Sequence, residues 1–251
     1  MILDDIIRRT GKRVALLPES FPEPARNNHA SLTGAIRERD RGNAVIAEIK
    51  CASPSRGIIR RNVDMAQMAG VLAGAGCVAL SVLTEPYFFG GAGQDIARVK
   101  STVDIPVLRK DFIIDERQIA ESRALGADAV LLIAAILGER LPVFVDLAKD
   151  YGLEPLVEIH NAAEAESALG TRAALVGINN RNLATMTIDR STTRLLSGQI
   201  RDNGRLIVSE SGMRSADDIR EMRHYCDAFL IGSSIMSDQQ PRKKLEEFVC
   251  A

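Results

Sequence analysis

Residues 44–50 read AVIAEIK. Five of the first six side chains are aliphatic, a run suited to a strand covered on both faces, as in a parallel sheet. Yet Glu48 and Lys50 stand two apart at its end, and side chains two apart on a strand share a face. A strand buried on both sides that aims two opposite charges one way must end in a polar space. The loop that follows, CASPSRG over 51–57, is small and polar. The same design recurs along the chain, in apolar runs at Cys77–Leu83, Ile105–Lys110, Ala129–Ala134, Glu154–Ile159, Ala174–Asn179, Arg205–Glu210 and Ala228–Ser233. Between them lie stretches such as DMAQMAGVLAGAG, ERQIAESRALGA and SADDIREMRHYC, with apolar residues at three- and four-residue spacing. That spacing predicts amphipathic helices, several of them stopped by glycine.

Eight regular β-α units predict an α/β protein, a (β/α)8 (TIM) barrel, over the alternative of a doubly wound open sheet. No linker or low-complexity segment interrupts the units, so a single domain is expected over 1–251. In this reading residues 45–251 form the barrel core and residues 1–44 a helical extension. That extension reads as a helix near the start, a Pro-rich loop over 18–30 and a second helix with Ser31 as its N-cap, capping the barrel.

The composition narrows the function. Hydrophobic residues make up 46% and charged residues 26% of the 251, with a formal net charge of -1. No global field would recruit nucleic acid or an anionic membrane. No apolar segment approaches the roughly 18 residues that span a bilayer, and the acids beside the apolar residues of MILDDIIRRTGKR do not suit a signal peptide. Cys51, Cys77, Cys226 and Cys250 lack metal or redox spacing and read as reduced thiols of a cytoplasmic protein. The three histidines are dispersed, so no metal is expected. No G-x-G-x-x-G run suggests a dinucleotide, and no cofactor is expected.

In such a barrel the C-terminal strand ends share one mouth, where active sites lie. Those ends carry Glu48, Lys50, Lys110, Glu158, Asn179 and Glu210, with Arg181 just beyond Asn179. Singly, each has an ordinary reading: a solvated rim charge, or for Asn179 a turn cap. Together they put several charges of both signs in one cavity. Lysines and glutamates so placed can act as acid and base, or the glutamates can keep the lysines charged. The seventh and eighth strands end in SESG and GSS, which supply Ser211, Gly212, Gly232 and Ser233. The loops after those two strands often hold a phosphate, and small residues let the backbone approach it closely. Phe88, Phe89 and the GGAG that follows offer an aromatic cover for a flat substrate. His160 follows Glu158 at the same-face spacing and reads as a loop residue.

The motifs AEIKCASPSRG, LTEPYFFGG, VLRKDFIID, GADAVLLI, EPLVEIH, GINNRNL, VSESGM and LIGSSIM together resemble the indole-3-glycerol-phosphate synthase family of tryptophan biosynthesis. The likeness runs in order from about Ser31 to the C-terminus and departs at Cys51, where the family often has a basic residue, and at Ala92 in place of serine. It implies ring closure of 1-(2-carboxyphenylamino)-1-deoxyribulose 5-phosphate with loss of carbon dioxide and water. It further implies Lys110 as general acid, Glu158 as base, and Glu48 and Lys50 as essential, the lysine meeting the substrate carboxylate. Asn179, Arg181 and Ser53 would position hydroxyl and carboxylate groups, and Phe89 would line the substrate site. Ser211, Gly212, Gly232 and Ser233 would take the phosphate, and Glu210 would join the network around the lysines. The expected partner is a phosphorylated small molecule, and association with other tryptophan-pathway enzymes stays open. Two rivals differ in class: a phosphoribosylanthranilate isomerase, which would use a Cys and an Asp, and a non-catalytic homologue that binds a phosphorylated metabolite.

Overall fold

The computed structural model describes residues 2–22, 30–39 and 42–251. Eight parallel strands close on themselves: β1 Ala44–Ile49, β2 Ala79–Leu83, β3 Val107–Lys110, β4 Ala129–Ile133, β5 Glu154–Ile159, β6 Leu175–Asn179, β7 Leu206–Glu210 and β8 Ala228–Ile231. Each pairs with its neighbours in sequence, and β8 returns to β1 with Ala228 opposite Ala44. The expected (β/α)8 barrel is therefore the fold. Several strands are shorter than their apolar runs. β3 starts after Pro106, which has no N–H for a ladder, and β4 stops at Ile133 because Ala134 opens a helix.

Alternation explains why these strands are apolar throughout. In β1, Ala44 and Ile46 face inward and join Ala79, Leu108, Leu131, Leu156 and Val208 in the barrel interior. Val45, Ala47 and Ile49 face outward and pack under the surrounding helices. Those helices are preceded by α1 Ile2–Val14 and α2 Leu32–Arg37, and comprise α3 Met65–Ala73, α4 Gln94–Lys100, α5 Arg117–Ala124, α6 Ala134–Leu137, α7 Leu141–Asp150, α8 Ala162–Leu169, α9 Ser191–Asp202, α10 Ala216–Met222, α11 Ser233–Met236 and α12 Pro241–Val249. Ser31 caps α2 by accepting from the Gly34 N–H at 2.9 Å. Ser215 caps α10 in a reciprocal box with Asp218.

The two extension helices do not act as one cap; they go to opposite ends. On α2, Leu32 and Ile36 are buried with the interior residues of the barrel. Its backbone is tied to the strand starts: the Ala30 N–H donates to Asp128 at 3.0 Å and the Thr33 N–H to Glu154 at 2.8 Å. It plugs the floor. On α1, Ile2, Leu3 and Ile6 line the cavity at the mouth. Residues 23–29 of the Pro-rich stretch, His29 among them, lie outside the described residues.

A charged network anchors α1 beside Lys110. Arg109, on the outward face of β3, is only 1% exposed. It donates to Asp111 at 3.1 Å, Glu121 at 2.7 Å, Ser122 at 3.0 Å and the Gln118 carbonyl at 3.2 Å. Arg13 of α1 grips both oxygens of Asp111, at 2.8 and 2.9 Å, and Thr84 adds a hydroxyl at 2.6 Å. A buried guanidinium is tolerated only when its donors are matched in this way.

Candidate active site

A cavity of about 450 Å³ opens at the C-terminal mouth, and its lining includes Glu48, Lys50, Ser53, Phe89, Lys110, Glu158, Asn179, Arg181, Glu210, Ser211, Gly212, Gly232 and Ser233, all nominated from the sequence. The inward alternation of β1 carries Glu48 into the interior and Lys50 to its rim, which accounts for two charges at the end of an apolar strand. Lys50 Nζ lies 2.5 Å from Glu48 Oε1.

At the centre stands Lys110. Its ammonium donates to Glu210 Oε2 at 2.7 Å and to Glu158 Oε2 at 3.1 Å. Burial pulls its pKa down, but Glu210, Glu158 and Glu48 outweigh that and hold it above the ordinary lysine range. The two carboxylates diverge. Burial raises both, yet Lys110, His160 and Asn179 hold Glu158 well below the usual carboxylate range. Glu210 meets the opposite balance: burial and the charges of Glu158 and Glu48 overcome the pull of Lys110 and push it up to about 7. Carboxylates sharing one site are driven apart in this way, and a separated pair of pKa values marks groups available for acid and base work.

Two glycines exist to make room for these acids. A β-carbon on Gly177 of β6 would overlap Glu210 Oε1, and one on Gly232 would overlap Glu48 Oε1. We expect Gly177→Ala to fold normally and to lose about a hundredfold in kcat, the cost of an ångström-scale misplacement. Steady-state kinetics beside a circular dichroism spectrum checks this, and near-normal kcat would show that Glu210 shifts at no cost.

Part of the cavity lining is cationic. Arg56, Arg181 and Arg214 all line the cavity, and none makes an ion pair among the described residues. Burial first, then the neighbouring Arg56 and Arg214, lowers the Arg181 pKa against the pull of Glu48. Crowded cations without ion-pair partners fit anionic groups on a ligand. Nearby, Ser211 and Gly212 both adopt left-handed backbone, with φ of 65° and 96°. For a serine that conformation costs of order 1–3 kcal/mol and clusters at functional sites. The turn presents the backbone beside Gly232 and the start of α11. Arg56 and Arg214 were not evident from sequence, because loop residues carry no periodic signal, whereas Ser234 belongs to the GSS that ends the eighth run.

Aromatic rings line another part of the cavity. Phe89 and Phe112 lie 6.1 Å apart, centre to centre. Phe89 is placed by buried Glu85, whose carboxylate accepts the N–H groups of Tyr87, Phe88 and Phe89 at 3.0, 2.7 and 3.1 Å. Phe88 points elsewhere, under the guanidinium of Arg9 on α1. Glu85 was also missed, although an acid two to four residues before unpaired N–H groups is a recognisable turn signal.

Comparison with known proteins identifies the family. A family model described as indole-3-glycerol phosphate synthase matches residues 4–248, so the likeness extends into the N-terminal helix. An indole-3-glycerol phosphate synthase of Thermoanaerobacter sp. (strain X514) is 42% identical over 99% of this chain and 97% of its own. That of Caldanaerobacter subterraneus subsp. tengcongensis is 43% identical over 99% and 98%, and that of Aquifex aeolicus 41% over 83% and 82%. Among solved structures, a tryptophan synthase chain from M. tuberculosis superposes with a TM-score of 0.67 at 10% identity, over 89% of this chain and 98% of that one. KGPDC from Streptococcus mutans superposes at 0.63 and 14%, over 83% and 96%; at such identities these two speak for the fold alone. With the family match spanning nearly the whole chain and relatives above 40% identity, the chain belongs to the indole-3-glycerol phosphate synthase family.

Proposed function

We propose that the chain closes the ring of 1-(2-carboxyphenylamino)-1-deoxyribulose 5-phosphate to indole-3-glycerol phosphate, with Lys110 as the acid that starts the reaction. The observation that carries this assignment is the Lys110 ammonium held between Glu210 and Glu158 in a cavity also lined by Arg56, Arg181 and Arg214. The aromatic part of the substrate lies against Phe89 and Phe112. Its phosphate sits at the Ser211–Gly212 turn and the Gly232–Ser233 segment, and its carboxylate meets Lys50, Arg181 and Ser53.

As the ring carbon that bears the carboxylate attacks the ketone, a C–C bond forms and the ketone oxygen takes a proton from Lys110. An amine held so strongly charged gives up its proton only to an oxygen becoming an alkoxide, which ties donation to ring closure. The C–carboxylate bond then breaks, its electron pair restores the aromatic ring, and carbon dioxide leaves. The new hydroxyl departs as water with a proton from Lys50, while a proton on the neighbouring carbon passes to Glu158. Glu158 becomes a better base once Lys110 has lost its charge, since its chief stabilising neighbour is gone. Glu48 orients Lys50, Asn179 fixes Glu158, and Glu210 returns a proton to Lys110. The reading includes a cytoplasmic location, which suits four unpaired thiols.

The test is direct. Mixing the protein with the carboxyphenylamino-deoxyribulose phosphate should produce indole absorbance and fluorescence. The chain has no tryptophan, so the product stands out against a weak background. Folded protein that yields no indole signal overturns the reading.

A further inference from the structure

His160 lies just past β5, in the loop before α8, with only 11% of its side chain exposed. Both ring nitrogens face carboxylates. Nδ1 lies 3.0 Å from Glu164 Oε2, and Nε2 lies 3.3 Å from Glu158 Oε1. Nε2 is buried and has no hydrogen-bond partner of its own beyond that ion-pair contact. Glu164 cannot turn away. Its Oε2 also accepts the His160 backbone N–H at 2.8 Å, its Oε1 accepts from Asn161 Nδ2 at 2.6 Å, and its own N–H donates to the Asn161 cap of α8 at 3.0 Å.

A neutral imidazole carries one N–H and one bare nitrogen. In this pocket the bare nitrogen would oppose an anionic oxygen whichever tautomer formed. The doubly protonated ring removes the conflict and sets a positive charge on the oxygen of Glu158 that Lys110 leaves uncovered. We propose that His160 is a positioning residue for Glu158: a permanent imidazolium, braced by Glu164, that holds this carboxylate oriented and ionised through the catalytic cycle. The inference rests on the reading of Glu158 as the base given above.

Two features of the surroundings support it. The acids facing the ring are Glu158 on β5 and Glu164 on α8. Asn161 and Asn179 are neutral, and α6, which packs against both elements, has no titratable side chain. Among the described residues, Glu158 makes ion pairs with Lys110 and His160 alone. The outcome of burial against these two acids is a His160 pKa raised to about 10, because the carboxylates outweigh desolvation. The interior charges also balance this way. Among the described residues, Glu48, Glu158 and Glu210 make ion pairs with Lys50, Lys110 and His160 alone, and when Lys110 gives its proton to substrate Glu158 would without His160 stand unpaired. An imidazolium that keeps its charge prevents Glu158 from taking the proton of Lys110 too early.

The experiment combines spectroscopy with a graded series of variants. With only three histidines in the chain, ¹⁵N-histidine labelling gives three imidazole sets, and His160→Gln assigns one by its loss. That set should show both nitrogens protonated at pH 8 in the unmutated enzyme. His160→Gln should lower kcat about tenfold with KM nearly unchanged. It should also move the acid-side inflection of the rate profile that reports Glu158 upward by about one pH unit, the equivalent of that factor. Glu164→Gln, which keeps an acceptor but removes the outer charge, should fall between. Three neutral imidazole sets at pH 8, an outcome that needs neither assignment nor a folded variant, overturn the inference. So does a His160→Gln rate profile that superimposes on the parent beside an inactive Glu158→Gln, an outcome that leaves the reading of Glu158 standing. An active Glu158→Gln overturns that reading itself.

Discussion

Replacing Lys110 with alanine is expected to leave a folded protein that binds substrate but turns it over about 10³-fold more slowly, in the middle of the range for a positioned general acid. The loss has two parts. No proton donor remains within reach of the forming alkoxide, and the two acids that Lys110 separates now face each other. With their shared cation gone, Glu158 and Glu210 cannot both stay ionised at neutral pH. Glu210, the one already pushed up, takes a proton, and the hydrogen bonding that placed the base is lost along with the acid. Binding should survive, because the cationic lining at Arg56, Arg181 and Arg214 and the Phe89–Phe112 wall do not involve Lys110. Stopped-flow fluorescence of indole formation, with calorimetric titration of substrate into the variant, separates these effects. Near-normal turnover would remove Lys110 as the acid, and lost binding would show that its charge holds substrate.

The largest effect on stability is expected one residue away. Arg109→Met keeps most of the side-chain volume and removes the buried cation between Asp111 and Glu121. Breaking a buried pair by deleting one partner typically costs 3–5 kcal/mol. For a chain of this size that corresponds to a fall in Tm of about 10 °C. The pH dependence gives a second reading. Burial alone would raise the pKa of Asp111, but Arg109, Arg13 and Thr84 outweigh it and depress the folded-state value. A depressed carboxylate contributes stability that is present above its unfolded pKa, about 3.9, and is lost as the pH falls through the lower folded value. Without Arg109 the folded value rises, part of that stability goes, and the acid-unfolding midpoint should move to higher pH. Calorimetry across pH 2 to 7 measures both, and an unchanged Tm would mean that Arg13 alone satisfies Asp111.

The barrel was legible because its signal is periodic. AVIAEI and EPLVEI are strands from first residue to last, since both faces of a parallel strand are apolar and the break at its end is chemical. For the same reason the site was legible wherever it sits on strand ends, as Glu48, Lys110, Glu158 and Glu210 do. Residues whose role depends on contacts distant in sequence were not. Arg109 looks like one more charge in VLRK, and only its burial against α5 distinguishes it from its neighbour Lys110. The destinations of α1 and α2 were hidden because an amphipathic pattern says that a face is covered, not by what. His160 is the intermediate case. Asn161 and Glu164 stand at the spacing of a capping box, so a carboxylate fixed close to the histidine could be inferred, but the reach of the ring back to Glu158 could not.

The seating of the extension helices also bears on the order of folding. Arg13 meets Asp111, and Ala30 meets Asp128, across 98 residues; Thr33 meets Glu154 across 121. Helices α1 and α2 must therefore wait for docking points that emerge much later in synthesis. β1 waits longest, since its second edge is β8. Contacts so remote along the chain repay their loop-closure entropy late. Until β8 arrives the interior that covers Leu32 and Ile36 is incomplete, so barrel closure and the full burial of α2 fall near the end of folding.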